Sequence, residues 1–153
     1  MTVIDLWKMY LESIGEDLEN TKKTYESWHF CNNEKDANAL AELTKKGIKR
    51  ATAGLLKSYE VENEPLPEIG ELHIIEDWNG NGVCVIKVED VEILAFNEVT
   101  EAHAEIEGEG DGSLEYWCDE HLKFFKQDAE GLDFSFTEDM EIVFMIFEAV
   151  FCS

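Results

Sequence analysis

The chain has 153 residues, 44% of them hydrophobic, and carries 35 acidic against 12 basic side chains, for a net charge of -23. That length and apolar content suit one globular domain with a real core, not a disordered chain, and no apolar run approaches the ~20 residues a membrane-spanning helix needs. A surface this acidic repels duplex nucleic acid, whose binding relies on a basic face and counterion release.

Met1 to Gly15 is predicted to be a helix. Thr2 can cap it, Asp5 sits in its first turn and Gly15 fits the stop. Residues 1–24 are expected to form an N-terminal helical extension on a domain spanning 25–153. No basic segment precedes an apolar core, so no secretory signal is expected. Cys31, Cys84, Cys118 and Cys152 lie far apart without CxxC spacing. They are expected to be reduced thiols of a cytoplasmic protein.

Tyr25 to Phe30 is a short aromatic strand or loop in which Trp28 and Phe30 alternate onto one side. Asn33 caps a predicted helix over 34–46, which Gly47 ends. Lys45, Lys46, Lys49, Arg50 and Lys57 gather much of the scarce positive charge. A nucleotide or RNA would meet the chain there; a solubilising helix end is the plainer alternative. Ile48 to Gly54 starts a strand, so Lys49 and Thr52 would need a bulge or turn to meet. Residues 59–70 hold both prolines and are expected to be a loop.

Leu72 to Trp78 and Val83 to Glu89 are strand-like, joined by a tight turn at Asn79-Gly-Asn-Gly82. Val91 to Phe96 is expected to be a further strand, Asn97 to Ile106 a short helix, and Phe134 to Phe136 extended. Glu141 to Phe151 is an almost continuously apolar closing strand, buried on most of both faces. Several antiparallel strands with a few helices predict an α+β domain whose sheet curls into a small barrel.

Between these lies the chemistry. His103 to Asp111 alternates glutamates with glycines, and a helix follows. Ser113 can cap that helix, and Leu114, Trp117, Cys118, His121, Leu122 and Phe125 form one face. Glu107, Glu109 and Asp111 could be a solvated acidic loop, and His121 a satisfied core histidine. An EF-hand needs a bidentate Glu at its twelfth position. Here that position is Tyr116 or Cys118, so no metal site is written, and no cofactor is implied.

In this order the pieces resemble the ASCH family, a branch of the PUA-like fold, over roughly residues 25–152. The resemblance rests on Glu26-Ser-Trp-His-Phe30, on Ala39-Leu-Ala-Glu-Leu43 leading to Gly47-x-Lys49-x-x-Thr52, and on Pro65-x-Pro67-x-x-Gly70. Most specific is Glu107-Gly-Glu-Gly-Asp111-x-Ser-Leu-x-Tyr-Trp117-x-x-x-His121. It implies a small β-barrel flanked by helices, with a cleft that binds RNA or nucleotides. A related group hydrolyses acetylated cytidine with a threonine, a lysine and a glutamate. Lys49 and Thr52 match its K-x-x-T, and Glu107 ends the His103-Ala-Glu-Ile-Glu107 that is similar to its H-A-E-x-E. Those hydrolases lack the acidic glycine block and the helix after it.

The expected ligand is a nucleoside, a nucleotide or single-stranded RNA. Lys49, Thr52 and Glu107 would share one cleft. Trp28, Phe30 and Trp117 are candidates to stack on a base, as aromatic side chains do in single-strand binders. Arg50 belongs to the basic cluster. Glu109 and Asp111 can accept from an exocyclic amine, and His121 can hydrogen-bond a ligand or orient Asp111. A binding module and an amidohydrolase acting on an acylated nucleoside are the two competing classes.

Overall fold

A computed structural model describes all residues, 1–153. The fold is α+β. Its elements are α1 (Val3–Ser13), β1 (Glu26–Trp28), α2 (Glu34–Lys45), β2 (Ala51–Leu55), α3 (Leu56–Val61), β3 (Leu72–Glu76), β4 (Gly82–Ala95), α4 (Glu101–Glu107), α5 (Leu114–Gly131) and β5 (Glu141–Cys152). A turn of 3-10 helix, Phe96–Glu98, precedes α4. The strands form one mixed five-stranded sheet in the order β1-β3-β4-β5-β2. β1 runs parallel to β3, β3 pairs antiparallel with β4, and β2 pairs antiparallel with β5.

Helices α1, α2 and α5 start where a side chain can take an orphan amide. Thr2 accepts from Asp5 N at 3.1 Å, Asn33 from Asp36 N at 2.9 Å and Ser113 from Tyr116 N at 3.1 Å. Gly15 and Gly47, at φ of +77° and +75°, provide the left-handed turns after α1 and α2.

Three expectations needed correction. Residues 83–96 are not two strands, since β4 runs without a break from Gly82 to Ala95. The segment before the prolines holds α3, which no side chain caps and which follows β2 directly. Cys84 and Cys152 are bonded in a disulfide across 68 residues of sequence, because β4 and β5 are neighbours in the sheet. Cys31 and Cys118 stand outside the disulfide.

The chain divides into two compact units. One comprises Met1–Ile48, Ile69–Glu89 and Phe147–Ser153. Its core joins Leu6, Trp7, Tyr10 and Leu11 of α1 to Leu72, Ile74 and Val85. The other comprises Lys49–Glu68 and Asp90–Ile146. Leu55, Phe96, Ala104, Trp117, Phe125, Ala129 and Ile142 form its core. Everything described below as the candidate site lies in this second unit.

Candidate functional site

Four charged or titratable side chains meet beneath the loop between α4 and α5. Lys49 stands just before β2 and is 1% exposed. Its Nζ turns back along its own chain to donate to the carbonyl of Ala51 at 2.8 Å. It lies 3.0 Å from Glu109 Oε2 and 3.5 Å from Glu107 Oε1. Glu107 is the last residue of α4 and is also 1% exposed. One of its oxygens accepts from the Trp117 indole, and Oε1 lies 2.8 Å from His121 Nε2. A backbone bond from Arg50 N to Ile106 O, 2.9 Å, ties the start of β2 to the end of α4. That bond keeps Lys49 beside Glu107.

The glycines explain the loop. Gly108, Gly110 and Gly112 all have positive φ, between +59° and +76°, a region only glycine enters without cost. They let the chain reverse between two helices while Glu107 and Glu109 both turn toward Lys49. At Gly110 a Cβ would also lie 2.5 Å from Tyr116 Cε1, so the tyrosine ring rests on that residue. Asp111 points elsewhere; its Oδ1 accepts from Ser113 N at 2.9 Å, at the approach to α5.

Hydrogen-bond roles set the charges. His121 Nδ1 is 2.9 Å from the Trp117 carbonyl, which only accepts. Its Nε2 faces Glu107, a carboxylate with donors from Trp117 and Lys49 around it. Both ring nitrogens therefore donate, and His121 is an imidazolium. Burial works against that charge, but adjacent Glu107 outweighs it and raises the His121 pKa. Burial likewise opposes the Lys49 ammonium, and Glu107 and Glu109 together still raise its pKa. Burial pushes Glu107 up, yet His121 and Lys49 hold it well below the ordinary carboxylate range. Glu109 goes the other way, because burial and the charge of Glu107 outweigh Lys49. Two neighbouring carboxyls thus have affinities for protons driven apart.

Glu107, Glu109 and His121 bring their donor atoms within 4.8 Å of one another, the geometry of a metal ligand set. The Lys49 ammonium and the His121 imidazolium together already balance the two carboxylates, and an imidazolium has no lone pair for a metal. In this protonation state the group is an ion-pair cluster.

The structure brings Lys49, Glu107, Glu109, Trp117 and His121 together. Thr52 lies in β2 opposite Met145, half-buried, and its hydroxyl is not bonded to Lys49 or Glu107. Arg50 is exposed at the start of β2. The aromatic candidates are differently placed. Trp117 is 2% exposed, with its ring stacked on His121 at 4.0 Å, so it has no face to offer a base. Phe30 is buried against the edge of half-buried Trp28, whose indole donates to His73 Nδ1 at 3.0 Å. Both belong to the first unit. That unit also has an open cleft of about 290 Å³, lined in part by Lys22, Lys23, Glu71 and His73. Sequence reasoning missed Tyr116, 37% exposed and resting on the loop at Gly110. It lies off the apolar stripe of α5, and only its place one residue before Trp117 could have drawn notice.

No helix is long and apolar enough to cross a membrane. The family model for the ASCH domain matches residues 26–151. The crystal structure of an ASCH domain from Lactobacillus crispatus superposes with a TM-score of 0.90 at 32% identity, covering 97% of this chain and 93% of that one. A protein of Enterococcus faecalis superposes with a TM-score of 0.86 at 32% identity, covering 98% and 88%. A hypothetical protein at 18% identity and a TM-score of 0.53 shares the fold, over 82% of this chain and 97% of that one. No curated protein matches the sequence.

Proposed function

Because the chain belongs to the ASCH domain family, we propose that its ion cluster is the floor of a site for a nucleoside, a nucleotide or a single-stranded RNA base. The observation that carries this is Lys49, 1% exposed and paired with two glutamates. A fold gains little from such a group, since replacing a buried ion pair by apolar side chains is often neutral or stabilising. Strongly perturbed charges of this kind concentrate at functional sites. The ammonium suits a ligand oxygen, and the partly exposed Glu109 suits an exocyclic amine. Tyr116 is the aromatic placed to stack on a base.

Calorimetric titration with the four ribonucleosides and their 5′-monophosphates tests the reading. At least one should bind, and Tyr116→Ala should weaken it by about 1–3 kcal/mol, the usual worth of stacking per base. Folded protein that binds none of them, and no short single-stranded RNA, would sink the idea.

The contact between Lys49 and Glu107 also favours a second reading, an amidohydrolase acting on an acylated nucleoside. Charged Lys49 would polarise the acyl carbonyl. A carboxylate would take a proton from water as its oxygen attacks the carbonyl carbon, then return it to the nitrogen as the C–N bond breaks. Glu107, held ionised so firmly, is a weak base for that step, so binding stands first. Acetylcytidine incubated with the protein distinguishes the two. Cytidine release above the enzyme-free background would make it a hydrolase, and its loss in Thr52→Ala would add that hydroxyl to the machinery; none over a panel of acylated nucleosides would leave the binding module.

A further inference from the structure

We infer that Glu109 is a placeholder on Lys49, and that the phosphate group of a mononucleotide takes its place when ligand binds. This rests on the nucleotide reading above and names the ligand class within it.

The four members of the cluster are not held alike. Lys49 and Glu107 are 1% exposed, and His121 is clamped between the Trp117 carbonyl and Glu107. Glu109 has a side chain 15% exposed, contacts Lys49 at 3.0 Å and shares a hydrogen bond with the Glu107 carboxyl. His121 Nε2 is 4.0 Å from Glu109 Oε2, beyond hydrogen-bond range. Glu109 sits between Gly108 and Gly110, at φ of +70° and +59°. Both neighbours therefore lack a side chain that would brace the loop. Glu109 is the member that can leave.

Its departure changes the charge of the site. Lys49 and His121 remain cationic, and Glu107 alone opposes them. One positive charge is then in excess, in a chain whose net charge is -23. An oxyanion occupies that position better than a neutral hydroxyl, because opposite charges attract far more strongly in a buried site than in water. Arg50, exposed and tied by its amide to Ile106 of the same corner, adds a third cation next to Lys49 in the chain. A carboxylate already resting on the ammonium keeps it neutralised until an anion competes.

The test titrates inorganic phosphate, the ribonucleosides and their 5′-monophosphates into wild type, Glu109→Gln and Glu109→Ala, each checked for folding by circular dichroism. In the wild type the best monophosphate should bind at least tenfold tighter than its nucleoside. That ratio should rise by about tenfold further in both variants, as the competing charge is gone. Equal affinity for nucleoside and monophosphate, with no gain in either variant, overturns the inference while the site itself stands. Inorganic phosphate that binds as tightly as the monophosphate overturns the mononucleotide assignment. If nothing binds any form, the nucleotide reading fails and this one with it.

Discussion

Glu107 accepts from Trp117, faces His121 and lies within reach of Lys49, all without contact with water. Glu107→Gln keeps the shape and removes the charge. Lys49 and His121 would then be buried cations with Glu109 as their one remaining carboxylate. Breaking a buried pair this way costs roughly 3–5 kcal/mol, and a chemical denaturation midpoint lowered to match, with an unchanged m-value, would bear this out. A loss below 1 kcal/mol would mean the cluster is wetter than it looks.

The same contacts give a pH dependence with a definite sign. The folded pKa of His121 is raised above its ordinary 6.5. Its contribution to stability is therefore complete below about that value and is lost as pH rises through the raised one. Glu107 is lowered from 4.5, so its contribution is present above that value and fades as pH falls. Glu109, raised, opposes Glu107 on the acid side, while Lys49 stays charged throughout. Melting temperature between pH 6 and 9 should fall more steeply for wild type than for His121→Gln. Parallel curves would argue against a buried imidazolium.

At the scale of elements, the corner from α4 to α5 depends on glycine at 110. Gly110→Ala must hold a φ of +59° with a side chain and push aside the Tyr116 ring, 2.5 Å from the new Cβ. We expect a loss of about 1–3 kcal/mol, together with weaker base binding as Tyr116 moves. Helix content by circular dichroism should not change, since the Ser113 cap starts α5 independently. A stability equal to wild type would show that the loop relaxes freely. Caps and glycine stops are local chemistry, and for that reason Thr2, Asn33, Ser113, Gly15 and Gly47 were legible in sequence. α3 has no cap side chain and was not. The strand β4 bears a polar stretch at Glu89-Asp90 that reads as a break, yet the strand runs through it from Gly82 to Ala95.

Over the whole molecule, the charge of -23 means the surface repels itself. Salt shortens the Debye length from about 30 Å at 0.01 M to about 3 Å at 1 M. Sodium chloride should therefore raise the melting temperature across that range. A fall would indicate that the buried ion pairs, not the surface, dominate the salt response.

What the sequence determined by itself was local or carried by motif order. Helix ends followed from residues that satisfy orphan amides, strands from runs of apolar residues, and the family resemblance from the order of motifs running from Glu26-Ser-Trp-His-Phe30 to the block ending at His121. Proximity was decided by the tertiary structure. Lys49 and Glu107 are 58 residues apart and Cys84 and Cys152 are 68 apart. No local preference brings such pairs together. Sheet order and the Arg50–Ile106 bond do. Burial was decided there too. Trp117 and Tyr116 are adjacent aromatics, and the facing of α5 alone puts one against His121 and leaves the other half open to solvent. That facing comes from packing on the core, because a helix of 3.6 residues per turn separates adjacent side chains by about 100° and buries only one face.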